Sequence, residues 1–506
     1  MIGYEFLLNH ITVRMVPPRR PARVMPVTRV EQMADMVAVP RGVAPPEGAG
    51  ILEHVLFALK HETMDLAILH EALKLVEAHA LLDAFAAQRQ SGYLRKAAFL
   101  WEKANGKDLA LPWPSTGGNY IDMFERGQYY TGAVWERSPR YRISFNGIGP
   151  YEFCPVVRRD AALQERGEQV LHRLSDWASN PENSELLDRV MSWAYLAETR
   201  DSYAIEHEHP SANKEQAFLD AMAQLRDRTP LSEEYLVGLQ NIVVTNDLAR
   251  EPGFRGHQNW LQRGGHGALS VRYVPPDPGS LGRLADAWMR MANSREGDVP
   301  PLVKAALVSF GLVFLHPFDD GNGRLSRLLA HHCLNFLEVL PTIGDSPAIL
   351  PLSVAMKKHE GEYLAALESF SKPVRRLWDV TYVADNDFLF DFKGSPMAYA
   401  CWSGTEAAEF VTSCAEESLQ QFLMDEVNFI RAYDAAYADV DREFDLPNRT
   451  INLLIQWIRQ NNGALPRRRM TAAEVALMRP EQIARVEAIV AAHFGNGDEQ
   501  RPATGE

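Results

Sequence analysis

Residues 302–327 read LVKAALVSFGLVFLHPFDDGNGRLSR. From Leu302 to Leu315 the run is apolar on every side, interrupted only by Lys304 and Ser309, which is the pattern of a helix at the centre of a bundle rather than on its surface. From Leu325 to Leu340 a helical period returns, carried by Leu328, Leu329, Leu337 and Leu340. The HPFDDGNGR segment therefore links two helices. It places a histidine, an acid, a glycine-flanked asparagine and an arginine within one short turn, with a second arginine just beyond.

Each residue type there has a physical use. Gly321, Asn322 and Gly323 open the second helix, where unpaired N–H groups and the helix dipole favour anions, phosphate above all. Arg324 and Arg327 are three apart and share one helix face, so their guanidinium groups can grip neighbouring phosphate oxygens. Asp320 supplies a hard oxygen suited to Mg2+ held jointly by one carboxylate and phosphates. His316, at the end of the buried helix, has an ordinary pKa near neutrality and can act as a general base. Taken singly, a histidine at a helix end reads as a cap and Asp-Gly-Asn-Gly as a turn. Two arginines directly after that turn are not explained by either.

The stretch resembles the signature of the Fic family, His-x-Phe-x-Asp/Glu-Gly-Asn-Gly-Arg-x-x-Arg: His316, Phe318, Asp320, Gly321, Asn322, Gly323, Arg324 and Arg327 all match. The resemblance implies a protein adenylyltransferase that moves AMP from ATP, its co-substrate, to a hydroxyl of a target protein, with self-modification as a further outcome. It implies His316 as the base, Asp320 on Mg2+, the 321–323 turn and both arginines on the phosphates, and Phe318 as the inward anchor of the loop. Transfer of another phosphate-bearing group, removal of AMP, and a non-catalytic nucleotide-sensing role are the alternatives.

Further positions follow from the same resemblance. Ser202 and Glu206, in ETRDSYAIEHE, are one turn apart and resemble the family's inhibitory motif, Ser/Thr-x-x-x-Glu-Gly/Asn, whose glutamate pairs with the last arginine of the signature. His207 departs from the Gly or Asn of that motif, which puts the placement of Glu206 in question. Residues 253–261, with Phe254, Arg255, Gly256, His257 and Trp260, stand where the family has a flap that holds the target segment. His257 and His266 sit in a Gly-rich loop and read as loop residues rather than a metal pair. Tyr363 matches an aromatic near the nucleotide base, and helical spacing with Leu367 offers core packing as its other use.

The chain has 506 residues, 46% hydrophobic, too long for one ordinary domain. A net charge of -14 argues against general nucleic-acid or anionic-membrane binding. No run is long enough to span a bilayer. Four widely spaced cysteines, Cys154, Cys333, Cys401 and Cys414, fit a reducing compartment, with cytoplasm as the expectation. Residues 1–50 read as strand and loop, 51–105 as helices, and 113–155 as short strands with Gly punctuation. Helices resume near Asp160, one of them beginning near Asn183 or Ser184. From about Thr381 the chain reads as helical.

The expected fold is mostly α: a Fic-type helical bundle with a small β-hairpin flap, an N-terminal α+β accessory region and a C-terminal helical domain. The expected divisions are 1–155 accessory region, 156–380 Fic domain with its inhibitory helix, 381–495 C-terminal domain, and 496–506 disordered tail.

Overall fold

The computed structural model describes residues 1–495 apart from 245–246, 265–266, 345 and 385–386. The expected tail at 496–506 and His266 lie outside the described residues. The fold is mostly α-helical, and its axis is the central helix Pro301–Leu315. Pro301 stands at its first position, where its missing N–H costs nothing and its fixed φ suits the helix. Every residue from Leu302 to Leu312 is buried. The helix therefore has no solvent face for the polar half of an amphipathic pattern to occupy.

Two elements named here pack on this axis, and a third reaches the site through the signature helix. The signature helix Asn322–Phe336 lies alongside it and is buried along nearly its whole length. The long helix Ser184–Ile205 reaches the signature helix from the other side. Helix Pro278–Asn293 covers the central helix through Trp288, whose indole donates to Val308 O at 3.2 Å. The expected start near Ser184 is where that long helix begins, and the preceding helix Ala161–Ser179 is N-capped by Asp160.

The strands are short. Ala22–Val24 runs parallel to Val37–Val39, and Glu31–Gln32 pairs antiparallel with the same strand. Ile143–Phe145 pairs in parallel with Ile121–Asp122 and antiparallel with Glu136–Ser138. Leu261–Gln262 and Val271–Tyr273 form a two-stranded hairpin beside the signature. Residues beyond Thr381 differ from the helical expectation. Trp378–Ala384 and Asp387–Phe392 form an antiparallel hairpin, because Phe388, Phe390 and Phe392 alternate with the two-residue period of a strand. Helix then dominates. Thr405–Glu417 continues through a π-helical turn, Ser418–Leu423, into Met424–Glu443.

One hydrophobic cluster runs from Tyr4 to Ile430 and joins the N-terminal region to the central bundle. A second, from Ala436 to Val490, is built from the last helices and the turns between them. Among the described residues no helix is long and apolar enough to cross a membrane.

Candidate active site

The central helix ends at His316, which adopts a left-handed backbone, φ 49°. Its N–H still closes the helix on Leu312 O at 2.8 Å, while its carbonyl points out of the ladder. That carbonyl is taken up by Arg255, whose Nε donates to it at 2.9 Å. Arg255 also donates to His257 O and Pro276 O, and its own N–H reaches Pro317 O. Arg255 is 4% exposed. The flap was expected to turn Arg255 toward a target, but the structure places it beneath the loop. Its planar fork satisfies backbone carbonyls that the left-handed turn leaves without partners.

The imidazole of His316 is also buried. Its Nδ1 lies 3.3 Å from Val313 O, an atom that can only accept, so this contact requires the proton on Nδ1 and leaves the Nε2 lone pair free. Burial pushes the His316 pKa down to about 4, and the charge on Arg255 adds to the effect against the hydrogen bond to Val313. The ring is therefore neutral through the physiological range, as a proton acceptor must be.

The loop after His316 is held by its own side chains. Phe318 is fully buried and meets Phe254 edge to face at 5.6 Å. Asn322 accepts from Phe318 N at 3.1 Å and donates to Phe318 O at 2.6 Å, and Asn259 donates to the same carbonyl at 3.1 Å. Gly321, at φ 84°, turns the chain into the helix, and a Cβ there would stand 2.8 Å from Val244 Cγ2. Both geometry and space require glycine.

The charged groups converge on the start of the signature helix. Arg324, 3% exposed, donates to Asp320 Oδ1 at 2.8 Å and to Glu208 Oε2 at 3.3 Å. Arg327, 1% exposed, donates from Nε to Ser202 Oγ at 2.9 Å, and from Nη2 to Ser202 O at 2.6 Å and Glu206 Oε1 at 2.9 Å. Burial alone would lower the Arg327 pKa, but Glu206 and its hydrogen bond outweigh this and raise it. The Glu206 carboxylate lies so close over Gly323 that a Cβ at 323 would collide with it. Ser202 and Glu206 thus meet the signature helix at the place where an anion would approach its N-terminus.

His207, the residue that departs from the family motif, sits at φ 58°. Its N–H donates to Ala204 O at 3.0 Å and the N–H of Glu208 donates to Tyr203 O at 3.1 Å. This pair of bonds is a Schellman turn with histidine at the position that glycine or asparagine usually fills. The helix end survives the substitution, and Glu206 remains its C-cap.

Tyr363 is buried on helix Glu360–Arg375, edge to face with Phe310 at 6.0 Å and stacked on Phe410 at 5.6 Å. His257 is exposed and 3.1 Å from Asp319 Oδ1. Trp260 packs on Phe388 and Phe390 of the 378–392 hairpin. Gly256 has open space around it. Strand pairing in the flap begins only at Leu261, so residues 254–260 form the loop leading into it. Sequence reading missed Glu208, the burial of Arg255, and Asn259. None of the three carries a local pattern, since each acts on a partner far away in the chain.

These features define a histidine–glycine-turn–arginine site at the junction of two buried helices, and the comparisons with known proteins agree. A model of the Fic/DOC family matches residues 230–334. The match marks those residues as a Fic/DOC-type domain within a longer chain. "Protein adenylyltransferase Fic" of Nematostella vectensis is 24% identical over 300 residues, covering 54% of this chain and 67% of that protein. The protein of the same name from Drosophila ananassae is 36% identical over 129 residues, 25% of this chain. The chain spans about a quarter of the length of that relative, 23%. A solved Fic family protein from Desulfovibrio desulfuricans G20 aligns at 14% identity and TM-score 0.39, over 65% of this chain and 85% of that one.

Proposed function

We propose that this protein is a protein adenylyltransferase, held back by Glu206. The carrying observation is the pairing of a neutral, buried His316 with an unoccupied Nε2 lone pair and an N-terminal helix turn backed by Arg324 and Arg327. The relatives named protein adenylyltransferase Fic support the same reading. In the proposed step a target hydroxyl oxygen bonds to the α-phosphorus of ATP, the bond to the β-phosphate oxygen breaks, and pyrophosphate leaves. His316 Nε2 takes the hydroxyl proton. ATP beside His316 adds negative charge, which lifts the histidine pKa from about 4 toward neutrality and makes it a stronger base.

Asp320 suits Mg2+. Its side chain is 49% exposed and adjoins the anion site. Among the described residues no group of three or more His, Cys, Asp or Glu side chains could hold a metal alone. One carboxylate completed by phosphates and water is the usual arrangement for this ion, which when bound would neutralise phosphate charge. Ser202 and Glu206 are the restraining pair, and the 254–260 loop with the following hairpin is the target-holding flap, through Phe254, Gly256, His257 and Trp260. Tyr363 borders the nucleotide. Residues 156–380 are the proposed catalytic unit, flanked by accessory regions, and the cytoplasm is the proposed location.

Incubating a lysate with labelled ATP, with and without the purified protein, tests the reading. Label should enter target proteins and the chain itself, and the His316→Ala variant should add it far more slowly. Equal labelling by parent and variant would remove the assignment.

A further inference from the structure

Away from the signature, a cavity of about 650 Å³ opens between the N-terminal segment 15–20, the start of helix Leu66–Lys74, residues 156–160, the end of helix Glu360–Arg375 and residues 398–406. Its size is that of a small-molecule site. Its lining has two characters, one cationic and one aromatic.

The cationic side is Arg20 and Arg158. Their hydrogen-bond partners are neutral: Arg20 Nη2 donates to Thr63 Oγ1 at 3.3 Å and Arg158 Nη1 to Gln32 Oε1 at 2.9 Å. Neither arginine pairs with a carboxylate among the described residues. The two are near enough that, after burial, the charge of Arg158 is the next cause lowering the Arg20 pKa. The other charged groups of the wall are already engaged. Arg19 pairs with Glu406 and Arg159 with Asp298. Asp65 caps one helix through Ile68 N, and Asp160 caps another through Ala162 N and Leu163 N. Two neighbouring, partly exposed guanidinium groups without a carboxylate partner favour an anion between them.

The aromatic side is Phe370 and Trp402. Trp402 is 7% exposed, and its indole Nε1–H is buried with no acceptor. Phe370 stacks on Phe314 at 4.1 Å and Trp402 meets the same ring edge to face at 5.0 Å, so this wall is fixed from behind by the central helix.

We infer that this cavity binds a small amphipathic anion, its carboxylate, sulfonate or phosphate held by Arg20 and Arg158 and its apolar body against Phe370 and Trp402. The site is separate from the signature and independent of the activity proposed above.

Two dyes of similar body test it on the full chain. 8-Anilinonaphthalene-1-sulfonate carries the anion, and N-phenyl-1-naphthylamine lacks it. With the signature site saturated by Mg-ATP, the sulfonate should bind at least about tenfold more tightly than the neutral dye, as expected for a charge-assisted hydrogen-bond pair. The Arg20→Gln/Arg158→Gln variant should weaken the sulfonate by at least about tenfold and leave the neutral dye and the melting temperature unchanged. Equal affinity of the two dyes, unchanged sulfonate affinity in the variant, or displacement of the sulfonate by ATP each overturns the inference. Should the double variant fail to fold, the dye comparison on the parent and the single Arg158→Gln variant decide by the same criteria.

Discussion

The Glu206→Gly variant carries the sharpest prediction. In the parent, Arg327 is 1% exposed and the Glu206 side chain 38% exposed, joined at 2.9 Å. Hydrogen bonds to charged groups contribute roughly 1.5–3 kcal/mol. Because Glu206 reaches solvent, the low end applies, about 1.5 kcal/mol. Releasing Arg327 for an outer phosphate should then raise activity at subsaturating ATP about tenfold, at 1.4 kcal/mol per factor of ten. The position of the carboxylate over Gly323 acts in the same direction, since it sets negative charge and bulk where phosphate would meet the helix N-terminus. Tenfold is therefore a lower estimate. The assay is labelled-AMP incorporation into the chain and into targets, with melting temperatures as the folding control. Arg327→Ala in the Glu206→Gly background should remove the gain, because the arginine is then missing its positive role. No gain in a folded Glu206→Gly protein refutes the reasoning, as does a gain that persists without Arg327.

His316→Ala should slow transfer by roughly 10²- to 10⁴-fold with ATP affinity retained, measured by incorporation and calorimetry. The same residue sets a pH expectation. Its folded pKa is depressed to about 4 from an unfolded value near 6.5, so in the free enzyme the base is lost only as pH falls toward 4, and kcat/KM should hold steady from pH 7 down past 6. Over the same window the unfolded chain binds the proton more readily, so this group makes stability fall as pH drops from about 6.5 to about 4. Asp320→Ala should abolish the difference in ATP affinity between magnesium and chelator. Glu208→Gln should free Arg324 from its 3.3 Å contact and raise activity by less than Glu206→Gly does, because Lys214 already shares that carboxylate at 3.3 Å. His207→Gly should stabilise the fold by about 1 kcal/mol by removing a left-handed histidine, and a falling melting temperature would exclude that account.

The signature was legible because its chemistry is local. His316 through Arg327 fall within one turn and one helix start, so spacing alone brings them together. The central helix was legible for a related reason: an apolar run without a polar face has only one kind of place in a bundle. Arg255 was not legible. Nothing around it in sequence says that a left-handed residue 61 positions later will leave a carbonyl for it to hold. The pair of Glu208 with Arg324, 116 residues apart, was hidden in the same way. The 378–392 hairpin was overlooked for a different cause. Its alternation spans only a few residues before helical sequence takes over, and short apolar runs leave period two and period 3.6 hard to tell apart.

The end of helix Ser184–Ile205 also changes how the restraint is understood. Glu206 and Glu208 flank His207, and the Schellman bonds from His207 N and Glu208 N to Ala204 O and Tyr203 O fix both acids in one rigid turn. One acid faces Arg327 and the other Arg324. Both arginines of the signature are therefore held in part by acids of a single turn, and any motion that opens this turn withdraws both carboxylates together, leaving Arg324 its bond to Asp320 and Arg327 its bonds to Ser202. Loss of one carboxylate by mutation frees only one of them. The Glu206→Gly/Glu208→Gln double variant should accordingly exceed the product of the single gains if ATP needs both guanidinium groups at once, since coupled partners of one ligand are not additive. Strictly multiplicative gains would show that the two arginines act on the nucleotide independently.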